Sequence, residues 1–304
     1  MTRAGAGNLA FGKTDGLLGS LQTADTYYEL GKDPQFDDDP SLDRDLEQIR
    51  MPNEVFHSES VEGNIEGAFG INFIPTADRI GDVHDILYNN AGGSGDVLTS
   101  GEPATSRFYV GVDFIAGTAE RVLKGVIPLG VDLNYNQGES TRYSVTFGYA
   151  NEEYGTSITP SGVNEATGET VQFHSTSLTL DGTVQSKEQS FTLSIEDMSA
   201  FHYGSDAVAE GATVAGPQTS LDVTAIITET DQLELAYGGS GQTTTSNRMT
   251  AVDGTITLDA GGNTVATYNL SDMKPEGMTW QDVINGDEDV TENYTMQVNG
   301  VGLA

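Results

Sequence analysis

The chain has 304 residues, and 46 acidic against 13 basic side chains give it a formal net charge of −33. No basic patch is present to neutralise phosphates, so the composition argues against sequence-specific nucleic-acid binding. The absence of cysteine excludes disulfides, thiolate metal sites and thiol nucleophiles. No apolar run approaches the roughly 18 residues that a membrane-spanning helix needs.

The acidity has two compatible interpretations. In dilute buffer this much like charge destabilises a compact fold, whereas at about 1 M salt the Debye length is only about 3 Å and the repulsion is screened. The first interpretation is therefore adaptation to a salty cytoplasm. The second is an acidic surface that faces a polyanion or cations.

Residues 1–60 are predicted to form an irregular N-terminal arm. A charge run within it, from Gln35 to Glu47, has three adjacent carboxylates at its centre: Asp37, Asp38 and Asp39. We interpret this run as a solvated loop, and the alternative is a weak Ca²⁺ or Mg²⁺ site. No other cofactor is expected. Because the first residues contain no apolar signal core, we expect the chain to be made and folded in the host cytoplasm.

A strand and a helix are predicted next. Apolar residues at alternate positions of 64–74 indicate a strand. Asp78 is placed to cap a helix in which Ile80, Val83 and Leu87 share one face. A flexible Gly-Gly-Ser-Gly stretch follows at 92–95.

Three further strands follow, separated by turns at 116–118 and 136–139. Period-two alternation bounded by such turns is typical of half-buried antiparallel strands. The residues that share a face in each strand are Phe108, Val110, Val112 and Phe114; Leu129, Val131, Leu133 and Tyr135; and Tyr143, Val145, Phe147 and Tyr149.

The second half of the chain repeats this order. A strand at 221–227 precedes a helix that Asp231 is placed to cap, and then come Gly-Gly-Ser-Gly at 238–241 and strands near 252–258 and 294–298. The ordered match predicts an internal duplication. We therefore expect one module at 1–160 and a second, degenerate module at 161–304, in which an insertion between Leu270 and Asn293 breaks the hairpin. The predicted fold class is mainly β, with sandwich-like or barrel-like modules that each carry one short flanking helix.

No catalytic constellation stands out in the sequence. The four histidines, His57, His84, His174 and His202, lack metalloenzyme spacing, and we interpret His84 as a surface residue near carboxylates. Neither Gly-Gly-Ser-Gly stretch continues into the nucleophile-elbow pattern. We therefore expect a protein without enzymatic activity.

The run from Arg107 to Tyr149 resembles the tail tube (major tail) proteins of long-tailed viruses. The matching features are an extended strand, an Arg-x-x-x-Gly step at 121–125, a second strand, a Gly-Glu turn at 138–139 and a closing aromatic strand. The strand pair at 177–182 and 190–197 is similar to the mid-chain pair of that family. The resemblance spans about 60–260, and the acidity suggests the virus of a halophilic archaeon.

This resemblance implies a structural protein of the virion tail. Subunits of the family join edge to edge into rings, and stacked rings form the tube through which viral DNA leaves without specific binding. Two modules per chain imply trimeric, pseudo-hexameric rings, with hexameric rings as the alternative. The implied partners are further copies of the chain and the tape-measure, tail terminator and distal tail proteins. The alternatives are another virion β protein, from the distal tail, baseplate or capsid decoration, or a halophilic cell-surface adhesion or carbohydrate-binding module.

Overall fold

The computed structural model describes residues 7–16, 24, 26–49, 59–114, 117–155, 160, 162–284 and 289–304. Within these residues strands dominate and two short helices occur, which confirms the mainly β fold class. The helices are α1 (Ile80–Leu87) and α2 (Asp231–Tyr237). The strands are β1 (Gly7–Thr14), β2 (Tyr27–Tyr28), β3 (Lys32–Ile49), β4 (Glu59–Ile74), β5 (Thr105–Phe114), β6 (Gly117–Asn136), β7 (Arg142–Gly155), β8 (Val163–Asn164), β9 (Thr176–Leu180), β10 (Thr183–Val184), β11 (Glu188–Glu196), β12 (Ser199–His202), β13 (Gly211–Val214), β14 (Gln218–Ile226), β15 (Val252–Ala260), β16 (Asn263–Gln281), β17 (Thr291–Gln297) and β18 (Gly300–Leu303).

The two halves pair their strands in the same way. In the first half β3 pairs with β4, β4 with β7, β7 with β6, β6 with β5, β5 with β1 and β1 with β2. In the second half β11 pairs with β14, β14 with β17, β17 with β16, β16 with β15, β15 with β9 and β9 with β10. In each half the helix follows the fourth of these strands in chain order, β4 or β14. The repeated pattern therefore covers the whole path of each half-sheet.

A shared irregularity aligns the halves residue by residue. The ladder between β6 and β7 shifts register between Pro128 and Gly130, and the ladder between β16 and β17 shifts between Pro275 and Gly277. A β-bulge marks a defined place in a ladder, so the two Pro-x-Gly steps occupy equivalent positions. Beyond β17, β18 continues along β16, so β17 and β18 together correspond to β7.

The first half-sheet curls around its core. Phe69 on β4 and Phe108 on β5 are three strand spacings apart along the sheet, because β7 and β6 intervene. Three spacings amount to about 14 Å in a flat sheet, yet the ring centroids are 5.1 Å apart. Strands β4 and β5 therefore face each other across the core. Most buried apolar side chains of both halves form one continuous cluster, and two smaller clusters are separate from it.

The two half-sheets are joined by the pair of β6 and β11. This antiparallel ladder runs from Val131 opposite Ile195 to Asn136 opposite Ser190. Leu133 and Leu193 face each other and are each 2% exposed. The rings of Tyr135 and Phe191 stack at 4.7 Å. The junction is thus an ordinary buried strand pair inside one sheet of sixteen strands among the described residues.

The predicted irregular arm at 1–60 is wrong for its described part. Residues 7–14 form β1 and residues 32–49 form β3, which pairs with β4 along most of its length. The side chains of residues 32–44 of β3 are mostly exposed on both faces, so the sequence shows no apolar alternation there. Residues 1–6, 17–23 and 50–58 lie outside the described residues, and so does His57.

Both helices are present, but their predicted caps are wrong. The Asp78 carboxylate accepts hydrogen bonds from the backbone N–H groups of Thr167 (3.1 Å) and Gly168 (2.9 Å), so it fixes a neighbouring segment instead of α1. Asp231 is the first residue of α2, whose N-cap position is occupied by Thr230. Ile80, Val83 and Leu87 are buried, as predicted.

The strand faces follow the predicted alternation except at Leu129 and Val112. Leu129 packs against a small separate cluster, because the register shift between Pro128 and Gly130 breaks its alternation with Val131. Tyr143, Val145, Phe147 and Tyr149 are all at most 2% exposed, whereas Val112 is 38% exposed. Val112 borders an open cleft between β5 and β3, which explains its exposure. The side chain of Phe114 and the turn at 115–116 lie outside what the structure describes.

Two boundaries differ from the sequence prediction. The strand after Leu270 is not interrupted by an insertion, because β16 continues to Gln281. Its pairing with β15 ends at Met273, and β17 pairs with its other side from Lys274. The segment 163–170, predicted to open the second module, contacts the first: β8 pairs with β2, and Thr170 bridges to Thr76. The repeated strand pattern of the second half begins at β9.

Candidate assembly edges

The outer edge of β3 is the first candidate site. Within the described chain β3 pairs only with β4, so its other side presents unpaired backbone groups. An unpaired edge is a template for another strand unless it is covered or blocked. Leu42 on this edge is 36% exposed.

The ladder between β3 and β4 shifts register at several places, and the β-bulge between Asp38 and Ser41 is held from inside the molecule. Arg121 Nη1 donates to the carbonyl of Pro40 (2.9 Å), and the Tyr149 hydroxyl donates to the carbonyl of Ser41 (2.6 Å). Arg121 also pairs with Glu152. The bulge therefore has a fixed shape, and free backbone groups are expected on either side of it, near Phe36 and from Leu42 onward.

The C-terminal half of β16 is the second candidate site. Its pairing with β15 ends at Met273, whereas β17 covers the opposite side from Lys274 to Gln281. One side of this half is therefore unpaired in the described chain. Three large apolar side chains at or just beyond its end are exposed: Trp280 is 46%, Val283 57% and Ile284 98% exposed. Exposed apolar clusters of this kind mark interaction surfaces.

Both edges border an open cleft. Beside β3 lies a cleft of about 930 Å³ whose walls include Leu9, Phe36 and Tyr154. Beside β16 lies a cleft of about 500 Å³ between α2 and the strand, with walls that include Leu233, Met278 and Trp280. Clefts with apolar walls next to an unpaired strand give a docking strand room for its side chains.

The three carboxylates at the centre of β3 are solvent-exposed, and one of them bonds to a neighbouring strand. Asp37 Oδ1 accepts a hydrogen bond from Asn72 Nδ2, and Asn72 Oδ1 accepts one from Arg142 Nη1 (2.7 Å). Asp37, Asp38 and Asp39 are all exposed. Among the described residues no group of three or more His, Asp or Glu side chains is placed to hold a metal ion.

The only strongly buried histidine of the described chain links its two halves. His84 on α1 is 6% exposed, which corrects its interpretation as a surface residue. Its Nε2 lies 3.0 Å from the Tyr143 hydroxyl and 2.9 Å from the Tyr268 hydroxyl, and Tyr268 belongs to the second half. Burial lowers the pKa of His84 to about 4 and raises the pKa of Tyr88 beside it to about 12. The cluster is therefore neutral at pH 7 and is buried between the two halves.

The helical spacing of residues in α1 indicates that His84 is buried. His84 follows Ile80 by four residues and Val83 by one, so it lies on the apolar face of α1. The neighbouring Asp82 and Asp85 hid this position, because they suggested a solvated face. Tyr268 could not be connected to His84 from sequence, since 184 positions separate them.

No protein-family model and no curated protein matches the chain. The described part contains no helix that is long and apolar enough to cross a membrane. The resemblance to tail tube proteins stays a prediction, and the two open edges are the features of the structure that bear on function.

Proposed function

We propose that the protein is a structural virion protein that polymerises into stacked rings and forms the tail tube, an acidic conduit for viral DNA. The observation that carries the proposal is the repeated half-sheet. One chain contains two copies of the same strand path, joined edge to edge by β6 and β11. The equivalent edges at the two ends, β16 and β3, are unpaired in the described chain.

A subunit with two complementary open edges assembles head to tail. Head-to-tail contacts close into a ring when the rotation per step divides a full turn, and otherwise they form a helix. If each half-sheet contributes about one sixth of a full turn, three chains make a pseudo-sixfold ring. Ring closure pairs both of these open edges and so removes the aggregation hazard that they carry.

The net charge of −33 suits a conduit for DNA. Proteins bind DNA phosphates through basic side chains, which displace the counterions condensed on the DNA. An acidic wall instead repels the DNA, so that the DNA slides past it. Tape-measure, terminator and distal tail proteins are the proposed partners at the inside and the ends of such a tube. We propose the virion tail as the location and a structural role without catalysis.

Electron microscopy of the purified chain tests the proposal. In about 1 M KCl, where the Debye length is about 3 Å, we expect threefold rings that stack into hollow tubes, and in about 0.1 M KCl we expect them to dissociate. Single rings that never stack would instead support a distal tail or baseplate protein. A persistent monomer at high salt that binds glycans would overturn the proposal.

A further inference from the structure

We infer that β3 of one copy pairs with the open end of β16 of the next copy, antiparallel and in the register of the internal pair of β11 and β6. The inference builds on the proposed ring and names the two strands that close it. It follows from the equivalence of the half-sheets within this chain, since β11 already docks in this way on β6.

The equivalence of β6 and β16 fixes one side of the new pair. The register shift after Pro128 matches the shift after Pro275, so Val131 corresponds to Met278 and Leu133 to Trp280. In the first half β11 covers these positions, and Leu133 is 2% exposed. In the second half the position of Leu133 is taken by Trp280, which is 46% exposed. The exposed tryptophan thus lies where a strand is missing.

The equivalence of β3 and β11 fixes the other side. One row of directly opposed residues crosses the first half-sheet and another crosses the second. The first row is Val131, Val145, Ile71 and Phe36, and the second is Met278, Tyr294, Val223 and Phe191. Both rows end on a phenylalanine, so β3 takes the place of β11.

The register of the new pair follows directly. Ile195 lies opposite Val131 in the internal junction. Leu42 lies opposite Gly67 on β4, and Ile195 lies at the equivalent position opposite β14, so Leu42 corresponds to Ile195. On the other strand, Met278 corresponds to Val131. Leu42 of one copy is therefore expected opposite Met278 of the next, with Ser41 opposite Thr279. The bulge at Asp39 and Pro40 then faces Trp280, and the tryptophan ring gains the space that an irregular strand leaves beside it.

The occupant of each edge is a second copy and not the same chain. In the described chain β3 pairs with β4 and the open half of β16 pairs with β17, and the two edges do not pair with each other. The two edges of one chain therefore face different neighbours, as a repeating head-to-tail contact requires.

A disulfide trap tests the pairing in a chain that has no cysteine of its own. Under mild oxidation in about 1 M KCl, Leu42→Cys/Met278→Cys is expected to form intermolecular disulfides, because directly opposed residues lie about 5 Å apart. Gels without reductant should show a ladder that stops at a closed trimer. The register control Leu42→Cys/Lys274→Cys places the second cysteine four residues, or about 13 Å, along β16, and should stay uncrosslinked. Equal crosslinking of both pairs, or of neither, would overturn the pairing.

A second pair of variants protects the test against misfolding. Leu42→Asp puts a charge on the β3 edge and is expected to abolish rings while leaving a folded monomer, as judged by circular dichroism. Val184→Asp makes the same change at a 63% exposed position on β10, and rings should persist. Rings that survive Leu42→Asp would contradict the pairing.

The outcomes separate this inference from the proposed function. Stacked tubes without the Leu42–Met278 crosslink would support the tail tube function and overturn the proposed strand pair. A specific crosslink in rings that never stack would support the strand pair and count against the tube.

Discussion

The junction of β6 with β11 and the open edges of β16 and β3 are built from equivalent strands, yet only the first is closed. At the junction Leu133 and Leu193 are each 2% exposed, whereas Trp280 and Leu42 on the open edges are 46% and 36% exposed. The comparison shows what one strand pair buries when its partner is covalently attached. It also shows what remains exposed when the partner has to come from another molecule.

The two places differ in charge as well. The junction stretch 190–195 contains no charged residue and faces 131–136, in which Asp132 is the only one. The open stretch 36–42 contains Asp37, Asp38 and Asp39, and 278–283 contains Asp282. Like charges across a strand pair are destabilising and are screened by salt. We therefore expect the internal junction to hold at any salt concentration and the open edges to pair only when salt is high.

The largest effect is expected from truncating the junction. Leu133→Ala removes a buried side chain that β11 covers, and large-to-small changes in a core cost about 2–5 kcal/mol of unfolding free energy. Urea unfolding in about 1 M KCl measures this loss. Leu42→Ala on the open edge is the control, and the monomer should lose less than about 1 kcal/mol. Equal losses at the two positions would mean that the edge is already covered in the monomer.

The next effect comes from the histidine that links the halves. The pKa of His84 in the folded chain is about 4, below the ordinary value of about 6.5. Between these pH values His84 is protonated in the unfolded chain and neutral in the folded chain. Stability due to this group is present above pH 6.5 and is lost as the pH falls toward 4, by on the order of 3 kcal/mol. The groups that face His84 are Tyr88, Tyr143 and Tyr268, which stay neutral throughout.

The His84→Gln variant isolates this contribution from that of the many carboxylates. It retains a polar side chain but takes up no proton, so the stability advantage of the original chain should shrink as the pH falls from 7 to 4. Thermal unfolding of both proteins across this range gives the difference. A constant difference would show that His84 is accessible to protons in the folded state.

The sequence predicted the strands that have one apolar face and failed where that pattern is absent. The alternation of Tyr143 to Tyr149 indicated a buried strand because each second side chain enters the core. Strand β3 has polar side chains on both faces, so only its pairing with β4 reveals it. The weak periodicity after Leu270 suggested an insertion, because the second half of β16 has a partner strand on one side only and its side chains are mostly exposed. The open edges were thus hidden from sequence by the same exposure that makes them candidate interfaces.

A smaller effect is expected from the hydroxyl of Tyr268, which connects the halves away from the strand junction. Tyr268→Phe removes hydrogen bonds to His84 (2.9 Å) and to Tyr143 (2.6 Å), and leaving buried polar groups unpaired costs about 1–3 kcal/mol. Urea unfolding is the measurement. Tyr154→Phe, at a 69% exposed residue, should have no effect. A neutral Tyr268→Phe would mean that His84 and Tyr143 satisfy each other without it.

The smallest effect on the monomer and the sharpest test of the comparison come from Trp280→Ala. Trp280 corresponds to Leu133, but without a covering strand its truncation should cost the monomer less than about 1 kcal/mol. In assembled rings the same side chain is expected to be covered, so the protein concentration needed for ring formation should rise at least about tenfold, which corresponds to about 1.4 kcal/mol per contact. Sedimentation in about 1 M KCl measures this threshold. A large loss in the monomer with an unchanged threshold would place Trp280 in the fold and not in the contact. The reverse result would show that one position of the repeated sheet serves folding in one half and assembly in the other.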